Sequence, residues 1–70
     1  MGFIEVTDID GKRKILIPVL RITSTVQMSG FTFIEMGFDS KGVSVGIEVN
    51  EDYFEVKDLI SKELNQKIKT

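Results

Sequence analysis

The sequence contains neither cysteine nor histidine. Without cysteine the chain can form no disulfide and no thiolate metal site, and without histidine it lacks the usual ligands of zinc, copper and iron. The commonest general bases and nucleophiles at neutral pH are absent for the same reason. We therefore predict a protein that is not an enzyme and that uses no metal or other cofactor.

Clustered positive charge and long apolar runs are also missing. The formal net charge is −2 and the sequence pI is about 5.0, whereas non-specific binding to nucleic acid needs clustered lysine and arginine. No apolar run reaches the roughly 18 residues of a membrane span. The first residues carry Glu5 and Asp8 rather than the apolar core of a signal peptide. We expect no tight nucleic-acid binding, no membrane insertion and a cytoplasmic location.

The 70 residues form one domain, 1–70, of marginal size. A single core in so short a chain supplies only about 3–5 kcal/mol, so small proteins usually add disulfides, a metal or a partner subunit. With the first two excluded, oligomerisation remains as the source of extra stability.

Hydrophobic patterning predicts a mainly β, α+β fold with about five antiparallel strands and one C-terminal helix. Alternation of apolar and polar residues places strands at 3–7, 12–19, 20–27, 31–38 and 43–49. Helical spacing places the helix at 51–67. We expect a bent sheet or small open barrel whose core consists of apolar side chains on the inward faces: Ile4, Val6, Ile15, Ile17, Ile22, Val26, Ile34, Met36, Val45, Ile47, Val56, Ile60 and Leu64.

Three short features mark where elements begin and end. Asp10 and Gly11 are typical of a two-residue type I′ turn, in which both residues have positive φ. Gly46, inside the fifth strand, indicates a bulge or a close neighbour. Asn50 is a favourable helix N-cap, because its side chain can accept from the free N–H groups of the first turn.

The fourth strand is apolar on both faces and predicts an interface. Phe31, Phe33 and Glu35 share one face, and Ile34 and Met36 lie on the other. One helix can cover only one side of the sheet, and an uncovered apolar face is unusual on a monomer. We therefore predict a homo-oligomer, most simply a twofold dimer, built through Phe31, Phe33 and Glu35; no protein partner can be named.

Some polar and aromatic residues allow two interpretations. Glu35 is either a solvent-facing gatekeeper or the partner of a cation across an interface. The basic run Lys12-Arg13-Lys14 favours a solvated strand edge over a phosphate site, because successive strand residues face opposite sides. The phenylalanines favour a core or subunit interface over a base-stacking platform, because Glu35 and Asp39 are their neighbours.

Several segments resemble the small flagellar-operon family known as FlbD or SwrD. They are a strand with a following turn, Ile4-Glu5-Val6-Thr7 and Ile9-Asp10-Gly11-Lys12, an apolar strand, Ile15-Leu16-Ile17, and the approach to the helix, Val49-Asn50-Glu51-Asp52. The resemblance implies a motility-accessory or interaction role and no enzymatic activity.

A second resemblance is to the carbon storage regulator family, whose members bind RNA as intertwined dimers. The segment Val43-Ser44-Val45-Gly46-Ile47, followed by a helix, is similar to the C-terminal half of that family. The family reads RNA through arginines near the first strand and at the helix start, where this chain has Asp8 and Lys57. Because these arginines are replaced, an RNA-binding regulator ranks second, as the alternative function.

Overall fold

The computed structural model describes residues 2–68, with side chains to residue 65. The mainly β fold with one C-terminal helix is confirmed, and the antiparallel strands form two sheets that do not close into a barrel. The first sheet pairs β1 with β2, and the second has the order β3-β4-β5. The elements are β1 (Phe3–Thr7), β2 (Lys14–Pro18), β3 (Ser24–Gln27), β4 (Thr32–Phe38), β5 (Ser44–Val49) and α1 (Tyr53–Ile68).

The loop of the first hairpin is longer than predicted. Gly11 has φ +76°, which confirms its left-handed conformation, but no non-glycine residue among those described has positive φ. A type I′ turn at Asp10 and Gly11 is therefore wrong. Instead, the Gly11 N–H donates to the carbonyl of Asp8 (2.8 Å), and the Asp10 carboxylate accepts from the Lys12 N–H (3.0 Å). These bonds occupy residues that would otherwise extend the ladder, so β2 begins at Lys14 instead of residue 12.

The predicted third strand, 20–27, is wrong in its first half. Val19–Arg21 forms a 3₁₀ turn, in which the Ile22 N–H donates to the carbonyl of Val19 (3.1 Å). Pro18 ends β2 with φ −64°, and the Val19 N–H beyond it still donates to the carbonyl of Gly2 (3.0 Å), so the pairing with β1 extends one residue past Pro18. The chain leaves the first sheet at the 3₁₀ turn, and β3 starts only at Ser24.

A bulge and a close contact shape the pairing of β4 with β5. Glu35 pairs with Gly46 and Phe38 pairs with Ser44, so β4 contains one extra residue between these pairs. A Cβ atom added to Gly46 would lie 2.3 Å from the carbonyl oxygen of Ile34 and 2.6 Å from Cζ of Phe33. Gly46 is therefore required by a close neighbour, and the bulge lies on the facing strand.

In the described residues, the backbones of the two sheets pair with each other at a single place. Asp8 and Val49 form an isolated antiparallel bridge, and the Asn50 N–H donates to the carbonyl of Thr7 (2.8 Å). Helix α1 packs against β1 and β3. The core between them consists of these buried side chains: Ile4, Val6, Ile17, Val19, Ile34, Val49 and Val56.

Three residues expected in the core are exposed. Val26 pairs with Phe33 on the sheet face opposite Ile34, so it points away from the core. Val45 lies near the start of β5, whereas α1 packs mainly against β1 and β3. Leu64 lies at the rim of the core, near Leu20.

The helix begins at Tyr53, and its cap is Asp52 rather than the predicted Asn50. The Asp52 carboxylate accepts from the Glu55 N–H (2.8 Å), and the Glu55 carboxylate accepts from the Asp52 N–H (3.0 Å). This reciprocal pair is a capping box. Asn50 cannot serve as the cap because its backbone is still paired with β1.

Candidate functional site

The outer face, as we call it, is the side of the β3–β4–β5 sheet opposite the buried Ile34. Alternation along β4 buries Thr32 and Ile34 and brings Phe31, Phe33 and Glu35 to this outer face, where all three are half-buried. The structure thus places the three predicted interface residues together. Their role in an interface stays a prediction.

Phe33 lies at the centre of the outer face. Its cross-strand neighbours are Val26 on β3 and Glu48 on β5, and its ring lies over Gly46. Val26 is 41% exposed and Met28, in the loop beyond β3, is 43% exposed. The outer face is therefore an apolar surface with Glu48 on one side.

Glu35 is held by hydroxyl groups of the same chain. Thr23 Oγ donates to one carboxylate oxygen (3.0 Å), and Ser44 Oγ donates to the other (2.7 Å). The Thr23 N–H also donates to the carbonyl of Glu35 (2.9 Å). No lysine or arginine among the described residues forms an ion pair with Glu35. The carboxylate therefore connects β4 to β5 and to the segment before β3, an arrangement that the sequence did not reveal.

An open groove of about 340 Å³ runs between the outer face and the loop of the first hairpin. Its apolar walls come from Ile9, Ile15, Phe33 and Ile47. Gly46 also lines the groove, and its missing side chain lets the Phe33 ring lie close to the backbone of β5. Sequence reasoning missed the groove because it forms between segments far apart in the chain; Gly46 was its only local signal.

The charged end of the groove contains an ion pair. Arg13 Nε donates to Asp8 Oδ2 (2.9 Å), and the Arg13 Nη2 group contacts the same oxygen. The hydrogen bond from Arg13 lowers the pKa of Asp8 below its ordinary value and correspondingly raises the pKa of Arg13. Lys14 instead points to Thr7, with Nζ 3.3 Å from its hydroxyl. The basic run is therefore divided between different partners.

Thr7 and Glu51 connect the end of β1 to the segment that enters α1. The Thr7 N–H donates to Glu51 Oε1 and the Thr7 hydroxyl donates to Glu51 Oε2, each at 2.8 Å. The segments Ile4–Thr7 and Val49–Asp52, which carry the resemblance, are thus in direct contact. Neither residue was predicted to be a site residue.

Comparisons with protein families, with curated proteins and with solved structures found no match. Within residues 2–68, no group of acidic side chains is arranged to hold a metal ion. No helix in the same range is long and apolar enough to cross a membrane.

Proposed function

We propose that the protein is a small non-enzymatic interaction protein of the cytoplasm, similar to the FlbD/SwrD family, that works as a homodimer through its outer face. The observation that carries the proposal is the position of Phe31 and Phe33. Both rings remain half-exposed on the sheet face opposite the core, although the chain has a helix that covers the other face.

The outer face has the chemistry of a subunit contact. Phe31, Phe33, Val26 and Met28 offer a continuous apolar surface, and such surfaces usually bind another protein. Glu35 already accepts two hydroxyl hydrogen bonds, which lowers the cost of removing its carboxylate from water. A twofold axis is the commonest way for one chain to cover such a face with a second copy.

The contact between Thr7 and Glu51 joins two of the segments on which the resemblance rests. It links a threonine at the end of the first strand to a glutamate before the helix. An accessory role in binding other proteins follows from the resemblance, and motility is a property of the family's flagellar members.

The RNA-binding alternative receives no support from the outer face. A base-stacking platform needs cations beside its aromatic rings, and here Glu35 and Glu48 flank Phe33. Asp8, which stands where the regulator family has an RNA-reading arginine, is a carboxylate paired with Arg13. In a fluorescence-anisotropy titration against a random RNA pool we expect no binding below about micromolar protein at physiological salt. Sub-micromolar, sequence-selective binding would favour the regulator instead.

Light scattering coupled to gel filtration tests the dimer. We expect a dimeric mass for the wild type and a monomeric mass for Phe33→Glu, because the added charge lies beside Glu35 and Glu48. Val26→Glu, on the same face but at a 41% exposed position, should also give a monomer. The control is Phe54→Glu on α1, where the ring is 73% exposed, and it should leave the dimer intact.

Circular dichroism of each variant verifies that the fold is retained. A monomeric wild type at high micromolar concentration contradicts the proposal. So does a dimer that persists in both outer-face variants while they remain folded.

A further inference from the structure

One edge of β5 has no strand partner over most of its length. Val43, just before β5, bonds on the β4 side: its carbonyl accepts from the Asp39 N–H (2.9 Å). Asn50, just after β5, bonds on the opposite side, to Thr7 of β1. Because N–H groups alternate along a strand, those of Ser44, Gly46 and Glu48 point to the same side as that of Asn50.

The first hairpin could have covered this edge but turns away from it. The only pairing of β5 with that side in the described residues is the Asp8–Val49 bridge. An extension of this bridge would bring the loop at 9–12 alongside β5, but the turn closed by the Gly11 N–H diverts the loop. The groove of about 340 Å³ occupies the space that is left.

We propose that this groove binds an extended peptide segment of a partner protein, which adds to β5 as a further strand. The N–H groups of Ser44 and Gly46, beyond the Asp8–Val49 bridge, supply the main-chain complementarity that strand addition needs. Ile47 and Ile15 line one side of the groove and Phe33 lines the other. Successive side chains of an extended peptide would therefore alternate between these two apolar surfaces.

The charges of the groove define the peptide further. Arg13 is paired with Asp8, whereas Glu48 has no ionic partner among the described residues. A lysine or arginine of the peptide would therefore face Glu48. We infer a partner segment in which β-branched or aromatic residues alternate with polar ones, at least one of them basic.

A single peptide fits this edge better than a second copy of the chain. The hairpin residues Ile9 and Arg13 line the groove together with β5, so the edge of another sheet would meet them where a single strand ends beside them. The inference rests on the proposed interaction role but uses a different surface.

Amide hydrogen exchange measured by NMR tests the proposal. The probes are acetylated, amidated hexapeptides in which valine, isoleucine or phenylalanine alternates with threonine, and a single lysine occupies each polar position in turn. At about 1 mM peptide, within the range of weak association, exchange should slow at Ser44 and Gly46. The amides of Val45 and Ile47 point to β4 and should not change.

Two controls distinguish strand addition from non-specific hydrophobic binding. The same peptides with alternate backbone nitrogens methylated keep their side chains but lose the donors of one edge, and should not bind. Ser44→Pro removes a free N–H at the first residue of β5, where proline is tolerated, and should weaken binding about tenfold. Ser44→Ala loses the same hydroxyl but keeps the N–H, and should bind like the wild type.

A further variant tests the proposed ion pair between Glu48 and the basic residue of the peptide. Glu48→Gln should weaken binding about threefold and reduce its salt dependence, as for an exposed ion pair. The proposal is overturned if no peptide slows exchange at these amides, or if Ser44→Pro and Ser44→Ala bind equally. It is also overturned if the amides are already protected in proportion to protein concentration without peptide, because a second copy would then occupy the edge. The mass of the wild-type dimer is independent of all these results, so failure here is distinguishable from failure of the dimer.

Discussion

Thr7 donates both its backbone N–H and its hydroxyl to the carboxylate of Glu51, at 2.8 Å each. The two residues are 44 positions apart and belong to the first strand and to the segment that enters the helix. The contact lies beside the Asp8–Val49 bridge, where the two sheets meet. It therefore fixes the first hairpin against the rest of the molecule.

Removing the carboxylate of Glu51 should destabilise the protein. We expect Glu51→Ala to lower the free energy of unfolding by about 2 kcal/mol, because hydrogen bonds to a charged acceptor contribute about 1.5–3 kcal/mol. Urea denaturation of Glu51→Ala, Thr7→Val and the double variant measures the coupling, which should be at least about 0.5 kcal/mol for residues in contact. Glu5→Ala, at an exposed position of β1, is the control. Additive effects of the two changes would contradict the contact.

A methyl group at Gly46 has no room. We expect Gly46→Ala to lower the free energy of unfolding by about 1–3 kcal/mol, because the added Cβ meets the backbone oxygen of Ile34 at 2.3 Å and the ring of Phe33 at 2.6 Å. Gly11→Ala is a useful comparison, because nothing lies within 4 Å of its Cβ and only its φ of +76° opposes the change. Thermal unfolding should rank Gly46→Ala as the more damaging; the reverse order would argue against the close contact.

Thr32 should tolerate loss of its hydroxyl. Its side chain is fully buried, and its Oγ has no hydrogen-bond partner among the described residues. Burying an unpaired hydroxyl costs about 1–3 kcal/mol, so the isosteric change Thr32→Val should raise the free energy of unfolding by about 1 kcal/mol. Urea denaturation measures the gain, with the half-buried Thr25→Val as control. A loss of stability in Thr32→Val would mean that the hydroxyl has a partner.

The helix cap can be located by two alanine substitutions. Asp52→Ala should lower stability by about 1 kcal/mol, because the Glu55 N–H loses its acceptor. Asn50→Ala should change stability by less than about 0.5 kcal/mol, as for a surface residue. Helical signal in far-ultraviolet circular dichroism, followed through denaturation, reports both effects. Equal losses would place the helix start nearer to Asn50.

The ion pair of Asp8 with Arg13 predicts a dependence of stability on pH. The hydrogen bond from Arg13 lowers the pKa of folded Asp8 below its ordinary value of 3.8. The carboxylate therefore stabilises the fold above that ordinary value, and the contribution is lost as the pH falls through the lowered pKa. The wild type should exceed Asp8→Asn in stability near neutral pH and lose this advantage in strong acid. The advantage should be smaller in a background of Arg13→Gln, where only the backbone N–H groups of Ile9 and Asp10 still lower the pKa of Asp8.

Sequence patterning predicted β1 well, because its two faces differ in polarity, and Phe3–Thr7 has the predicted bounds. Along β4 the period of two correctly separates the buried Thr32 and Ile34 from the half-buried Phe33 and Glu35. The patterns failed where a distant partner decides the local conformation. Pairing of Asn50 with β1 moves the helix cap to the next available carboxylate, two residues later.

The groove and the hydroxyl hydrogen bonds to Glu35 could not have been predicted from periodicity. Each depends on how one segment lies against another, and periodicity describes only which face a side chain takes. The β-branched run before Val26 likewise predicts a strand by propensity, but the 3₁₀ turn at Val19–Arg21 removes the start of that run from the sheet.

Both sheets consist of strands that follow one another along the chain, and this has a consequence for how the protein folds. Pairing of β1 with β2, and of β3 with β4 and β5, requires only short loops to close, which costs little conformational entropy. The meeting of Thr7 with Glu51 closes a separation of 44 residues. We expect the hairpin and the three-stranded meander to form early and independently, and their docking to set the rate at which native protein appears.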